Sequence, residues 1–379
     1  MNKKEQTILK AFKKTGARIE TKTRVKLKKK EDLSLYYTPG VGVASLHLAK
    51  HPKDTRNLSV KKNSVVVISD GSAVLGLGNI GPYGALPVME GKALIFKEFA
   101  GIDAWPIVLD TQDPEEIIRT ILAIAPAWGG INLEDIAAPQ CFEIERRVNE
   151  ALDIPVMHDD QHGTAIVVLA GLTNASKVVK KDLKKMRIVI SGAGAAATAV
   201  GKLLIASGVK DIIFLDREGT IYDGRKEHMN IYKQELATIS NPKKVKGGLA
   251  EAIAGADVFI GLSGKGLLHS DHVRSMAPGA IIFALANPEP EILPPEAKKA
   301  GAVVIATGRS DYPNQINNAL VFPGVFRGAL DNNVKTITTK MKIKAGLALA
   351  SLVTKPTADK IIPDVFDKRV VKTIAKAIR

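Results

Sequence analysis

The stretch MRIVISGAGAAATAVGKLLIASGVKDIIFLD, residues 186–216, decides the fold. Its first six residues, 186–191, form a continuous apolar run of strand length, and Gly192-Ala193-Gly194-Ala195-Ala196-Ala197 follows at once. A helical stretch continues to about Ser207, and a second apolar strand, 211–216, closes on Asp216. The turn matches G-x-G-x-x-A. Its glycines permit a tight bend and let backbone N–H groups approach a pyrophosphate, and the N-terminus of the following helix adds a favourable dipole. A strand before, a helix after and an acid roughly 20 residues on separate this fingerprint from an ordinary packing turn. Gly192, Gly194, Ala195, Ala196 and Ala197 are therefore dinucleotide-binding candidates. Asp216 is placed to accept hydrogen bonds from a ribose 2′-OH, which favours NAD. Arg217 beside it is suited to a 2′-phosphate and points to NADP instead. NAD is the preferred reading and NADP the alternative.

Outward from this unit the pattern repeats. Three more apolar runs follow, at 256–263, 280–288 and 302–308, with helical stretches between them. Together they describe a doubly wound, Rossmann-type domain, and Ser263, at the end of the first of them, is a further cofactor candidate. On the N-terminal side, VVVISD (65–70), PIVLD (106–110) and GINLED (130–135) read as strands, with a helical period over 114–126. Alternation of strand and helix argues for parallel sheets. The chain is thus an α/β protein, and its 379 residues are long for one hydrophobic core, so two domains are expected. The boundary is set near residue 165, with 1–165 as one domain and 166–337 as the nucleotide-binding one. The helical, Lys-rich segments within 338–379 are expected to return to the first domain.

Composition narrows the function classes. Hydrophobic residues make up 45% and charged residues 25%, ordinary values for a globular protein. No apolar run approaches the roughly 18 residues of a membrane span, and the start lacks the apolar core of a secretory signal, so a cytoplasmic location is expected. Cys141 is the single cysteine, read as a packed thiol in a reducing compartment. The net charge is +15, and residues 1–30 hold twelve Lys/Arg against Glu5 and Glu20. This arm has one aromatic, Phe12, and no nucleic-acid motif, so it reads as a solvated edge rather than a nucleic-acid contact.

Carboxylates supply the second signal. Glu134-Asp135 closes one strand-like run and Asp159-Asp160 closes another in IPVMHDDQHG. Parallel strands bring such termini to one sheet edge, where three or four carboxylates suit a hard cation such as Mg²⁺ or Mn²⁺. The bland alternative is helix caps and solvated turns. His158 and His162 flank the second pair in what reads as a loop, and are taken as structural or capping residues.

These blocks together resemble the malic enzymes, in particular the small prokaryotic type that lacks an acyltransferase-like extension. The resemblance runs essentially end to end. It is carried by YTPGV (37–41), SDG (69–71), LGLGNIG (75–81), PVMEGK (87–92), GGINLED (129–135), HDDQHGTA (158–165), ANP (286–288), PNQINN (313–318) and FPG (322–324). It implies oxidative decarboxylation of (S)-malate to pyruvate with a nicotinamide cofactor and a divalent metal. Position by position, it implies Glu134, Asp135 and Asp160 as metal ligands, and Lys92 as general base with Asp159 as its partner. Tyr37 is implied as general acid, Asn287 and Asn318 as substrate and nicotinamide contacts, and Thr164 as a residue near the cofactor. It also implies a homodimer or larger homo-oligomer. Such a base requires a lysine whose pKa falls well below the usual ~10.4. The resemblance departs from large members at Gly71-Ser72-Ala73-Val74, where they carry a substrate-gripping arginine. Loop N–H groups around 76–81 and the asparagines are the expected substitutes. Gly264-Lys265-Gly266 is a more basic turn than the family usually has. Malolactic conversion, with lactate as product, is the alternative chemistry.

Overall fold

The computed structural model describes residues 3–74 and 76–379; Leu75, within the Gly-rich run quoted above, lies outside them. Two parallel sheets organise the chain. The first contains β1 (Ser64–Ser69), β2 (Asp103–Val108), β3 (Gly130–Leu133) and β4 (Val156–His158), in the order β2-β1-β3-β4. The second contains β5 (Arg187–Ser191), β6 (Asp211–Asp216), β7 (Gly219–Thr220), β8 (Val258–Gly261), β9 (Ile281–Ala284) and β10 (Val304–Thr307). Its order is β10-β9-β8-β5-β6-β7, parallel except for the β6–β7 hairpin. β1, β3, β8 and β9 are buried along their whole length, as expected of strands covered by helices on both faces.

Both sheets reverse their strand order once. The reversal falls between β1 and β3 in the first sheet and between β5 and β8 in the second. Crevices form at the carboxyl ends of strands at such switch points. The termini that carry Glu134-Asp135 and Gly192–Gly194 are therefore the places where each sheet opens.

One long helix joins the two layers. Asp159–Val178 begins at the end of β4 and is buried on nearly every side, and residue 165 falls inside it. It packs against the helix Ala195–Ala206, which follows the glycine turn, and against the helix Thr339–Ser351. The helix Phe322–Asp331 rests on the helix Gly81–Ala100 through Phe322 and Phe326, whose rings lie 4.8 and 5.4 Å from that of Phe96. The helix Arg369–Ala377 covers its other side. A single apolar core contains Val65 and Phe96 from the first layer and Ile188 and Val200 from the second. The N-terminal helices Lys3–Thr15, Lys30–Tyr36 and Gly40–Lys50 bury no residue at all. No helix among the described residues is long and apolar enough to cross a membrane.

Candidate active site

The glycine turn sits at the carboxyl end of β5, with Gly192 at φ 131, a backbone state that L side chains rarely adopt. A Cβ there would also meet the Leu262 carbonyl oxygen at 2.8 Å, because the β8 end comes close by. Ser191 and Ser263 join the two strand ends, their hydroxyls 2.9 Å apart. The cleft beyond them has a volume of about 890 Å³ and is lined by Gly192, Gly194, Asp216, Arg217, Lys233 and Ser263 among others. Ala195 begins the following helix, Ala197 is buried beneath the turn, and Ala196 faces a neighbouring cleft. The fingerprint residues are thus together, with the third small position serving helix packing.

Asp216 is where expected, at the end of β6, but it is not free. Arg225 Nη2 donates to both carboxylate oxygens at 2.9 Å, Lys233 Nζ donates to Oδ2 at 2.6 Å, and the Glu218 N–H donates to Oδ1 at 2.9 Å. Burial alone would raise this carboxyl, yet Lys233 and Arg225 outweigh it and hold it below the ordinary aspartate range. Neither Arg225 nor Lys233 stood out in the sequence, since a basic residue nine or seventeen positions past a strand carries no local signal.

A second cleft of about 510 Å³ continues from the first, sharing Leu262 and Ser263 with it. It holds Lys92, Glu134, Asp160, Thr164, Asn287 and Asn318. Lys92 reaches in from the helix Gly81–Ala100. Its Nζ lies 2.5 Å from Asp159 Oδ2 and 3.0 Å from Glu134 Oε1, with the Phe322 ring centroid at 4.5 Å. Burial works to lower its pKa, but Asp159, Glu134 and Asp160 together raise it, so as folded Lys92 is a firmly held ammonium. This differs from the lowered lysine that base catalysis needs. Extra positive charge among the carboxylates is what would reverse it.

Glu134, Asp135 and Asp160 each offer an oxygen within 4.8 Å of the others. Their grouping follows from topology: Glu134-Asp135 leaves β3 beside the switch point, and Asp160 stands in the first turn of the helix after β4. Asp160 Oδ2 accepts from the Asp135 N–H at 2.9 Å, and Asp135 itself has φ 53, a conformation costly for a non-glycine residue. Glu134 is driven well above the ordinary carboxyl range by burial, which Lys92 counters and its neighbours Asp160, Asp159 and Asp135 reinforce. Among the described residues Asp159 Oδ1, which is buried, has no hydrogen-bond partner. All-oxygen donors carrying surplus negative charge out of water fit a hard divalent cation.

His162 is not in a loop: it lies in the first helical turn after β4, because 159–178 is helical throughout. It and its surroundings reveal a residue that sequence reading missed, Glu145. This carboxylate accepts from the His158 N–H at 2.8 Å and from Gln161 Nε2 at 3.1 Å, and pairs with His162 Nε2 at 2.9 Å. It thereby holds the start of the helix that carries Asp159 and Asp160. Burial would raise Glu145, but His162 and nearby Lys342 hold it at about 2. Cys141 is buried, with its thiol pushed up chiefly by burial, as a packed thiol should be.

Gly76 lines the metal-side cleft, and a Cβ there would lie 1.6 Å from the Asn287 carbonyl oxygen, so only glycine lets the 76–81 loop approach that strand end. Lys265 is exposed and faces Glu289 at 3.6 Å. Tyr37 is the outlier. It ends the helix Lys30–Tyr36, is 63% exposed and lines neither cleft.

Comparison with known proteins agrees in both halves. The family model described as "Malic enzyme, N-terminal domain" matches residues 16–149, and "Malic enzyme, NAD binding domain" matches residues 161–379. The NAD-dependent malic enzyme of Geobacillus stearothermophilus is 54% identical over 365 residues, 96% of this chain and 76% of that one. The bifunctional malic/malolactic enzyme of Bacillus subtilis is 51% identical over 363 residues, 95% and 88% of the two chains. The crystal structure of the NAD-dependent malic enzyme from Thermotoga maritima superposes with a TM-score of 0.95 at 46% identity, covering 98% of each chain.

Proposed function

Since the chain belongs to the malic enzyme family, we propose that it oxidises (S)-malate at C2 and decarboxylates it to pyruvate, with a divalent metal at Glu134, Asp135 and Asp160. The observation that carries this reading is one juxtaposition. Lys92, held between two buried carboxylates, lines one cleft with Glu134 and Asp160 of the metal-compatible trio and with Asn287 and Asn318, and that cleft opens into the dinucleotide cleft at Ser263.

Glu134, Asp135 and Asp160 would hold the cation, whose chemistry there would be to stabilise negative charge at the C2 oxygen, and a dinucleotide in the neighbouring cleft would serve as hydride acceptor. The remaining work falls to the protein. Lys92, once its ammonium has released a proton to solvent, takes the proton from the C2 hydroxyl as the neutral amine. With Glu134 and Asp160 holding a cation, Asp159 would remain to orient the Lys92 amine, and the added positive charge would lower the lysine's affinity for a proton. Asn287 and Asn318 orient the substrate carboxylate and the nicotinamide, and Thr164 borders the cofactor. Phe322 closes the Lys92 side of the cleft against water. Tyr37 returns a proton to C3 of the enol product, a role available only once the arm that carries it docks over a cleft. That arm exposes Leu33, Leu35, Val43 and Leu46 with no core beneath them, and isolated helices this short are marginal in water. This supports a homodimer as the working assembly, with the arm as part of its interface. The proposed domain division follows the two sheets, with the helix Thr339–Ser351 against Asp159–Val178 and the helix Arg369–Ala377 against Phe322–Asp331, and a cytoplasmic location fits the family.

The acceptor is a nicotinamide dinucleotide. The preference for NAD rested on a free Asp216 carboxylate, and Asp216 is engaged. Malolactic conversion is a second reading, favoured by the 51% identity to a bifunctional relative. Incubation with L-malate and Mn²⁺, with either dinucleotide, tests both. Equal yields of pyruvate and reduced cofactor support oxidative decarboxylation. Lactate without net reduced cofactor would replace it with the malolactic reaction.

A further inference from the structure

A third cleft lies where the helices Gly81–Ala100, Phe322–Asp331 and Arg369–Ala377 meet. Its volume is about 500 Å³, within the range of small-molecule sites, and it shares no described residue with the two clefts above. Five basic side chains line it, Arg327, Lys368, Lys372, Lys376 and Arg379, against one acidic side chain, Asp331. Asp331 is already engaged, since Arg327 Nη2 donates to its Oδ1 at 2.6 Å. Arg327 is tied down further by donating from Nη1 to Asn63 Oδ1 at 2.6 Å.

The three lysines are not what a merely solvated helix face needs. They stand at i, i+4 and i+8, on one side of the helix Arg369–Ala377 and the Lys368 that caps it. Like charges at that spacing repel and destabilise a helix. Interleaved acids would offset the repulsion, and the helix RVVKTIAKA has none. Among the described residues none of the three ammonium groups has an ion-pair or hydrogen-bond partner. The row cannot swing away with its helix either. Val370 and Ile374 are buried beneath it, and a Cβ on Gly328 would meet the Ala375 carbonyl oxygen at 2.4 Å, so the helix is seated closely on Phe322–Asp331. Phe99 adds an apolar wall, its ring 5.8 Å from that of Phe366.

Successive lysines are about 6 Å apart along the helix axis, four residues at about 1.5 Å each. A lone phosphate cannot span the row, whereas linked phosphoryl groups can bridge neighbouring ammonium groups. Hydrogen bonds from such cations to phosphate are about twice as strong as neutral ones. We propose that this cleft is a binding site for a small anion carrying several phosphoryl groups in a row, with Lys372 and Lys376 as its chief contacts. The bound anion offsets the repulsion along the helix and occupies neither the malate-side nor the dinucleotide cleft.

The probe is sodium tripolyphosphate, titrated calorimetrically into the full chain without divalent metal, with inorganic phosphate at matched ionic strength as the reference. One tripolyphosphate per chain is expected at this cleft, about ten-fold or more tighter than phosphate, the scale of one further charge-assisted hydrogen bond. The double variant Lys372→Ala/Lys376→Ala should weaken that site about ten-fold or more. Both positions are exposed, so the variant keeps its fold, and Lys372→Arg should retain binding. Lys13→Ala/Lys14→Ala removes the same charge from the N-terminal arm and should leave the site nearly unchanged. A second arm with uridine triphosphate separates the two sources of such a group: tighter binding than tripolyphosphate assigns an organic ester that uses the Phe99 wall, and binding no tighter assigns the phosphoryl chain alone. Identical titrations of the unmodified protein and the Lys372→Ala/Lys376→Ala variant would overturn the proposal. Equal weakening by the arm variant would overturn it too, since diffuse charge would then account for the binding.

Discussion

Replacing Lys92 with alanine removes one cation from a cluster of carboxylates. In the folded protein its Nζ sits 2.5 Å from Asp159 and 3.0 Å from Glu134, and the three side chains are 11%, 0% and 3% exposed. Removing one partner of a buried ion pair costs roughly 3–5 kcal/mol, because the other charge stays buried and unmatched. Here two carboxylates are left unmatched, so the metal-free Lys92→Ala protein is expected near the upper end of that range. Mn²⁺ should restore part of the loss, since it supplies the missing positive charge. The activity effect is separate. Losing a positioned general base lowers turnover about 10²–10⁴-fold. Lys92 lines only the metal-side cleft, so dinucleotide binding should stay within about three-fold, a change worth well under the 1.4 kcal/mol of a tenfold shift. Three measurements on one preparation separate these effects: chemical denaturation with and without Mn²⁺, dinucleotide titration, and malate-dependent cofactor reduction. Turnover within tenfold of the unmodified enzyme would refute the assignment of Lys92 as base. Loss of dinucleotide binding in parallel with turnover would show that the two clefts are not independent.

Asp160→Ala removes a proposed ligand oxygen and the acceptor for the Asp135 N–H; Mn²⁺ affinity, read by electron paramagnetic resonance, should fall at least 10–100-fold, the range known for weaker outer-shell changes. Asp216→Ala frees Lys233 and removes a negative charge from the 2′-position, so the NADP-to-NAD ratio of kcat/KM should rise through a gain in kcat/KM for NADP; a rise that comes only from a loss of kcat/KM for NAD would show that Asp216 reads the ribose after all. Glu145 is held at about 2 in the folded chain against roughly 4.3 unfolded. Its contribution to stability is therefore present above the unfolded value and lost as pH falls from about 5 toward 2. Glu145→Gln should flatten that part of the pH–stability curve, and an unchanged acid limb would exclude Glu145 as its source.

Much of the fold was legible because parallel strands covered on both faces are continuous apolar runs, and 65–70, 186–191, 211–216 and 280–288 all read that way. The helix at 159–178 was harder. Its first turn, Asp-Asp-Gln-His-Gly, has the composition of a loop, and only burial against the helices 195–206 and 339–351 makes it helical from the first residue. Among candidate site residues, Lys92, Glu134, Asp159 and Asp160 lie together in the folded chain. Glu145 escaped notice because a single glutamate on an amphipathic helix looks solvated until the neighbouring strand end is packed against it.

The sequence by itself determined which strand ends carry chemistry, since a strand and the residue that closes it are neighbours along the chain. It also determined that those ends share an edge, because parallel strands joined by helices all finish on the same side. Tertiary structure alone decided what each side chain does once there. Asp216 has its lone pairs taken by Arg225 and Lys233, folded back from nine and seventeen residues away. Lys92 has its proton secured by carboxylates from two other elements. Tyr37 stands on an arm with no core beneath it. Local periodicity reports backbone state and burial, whereas the protonation and availability of a side chain depend on charges brought within a few ångströms by distant segments.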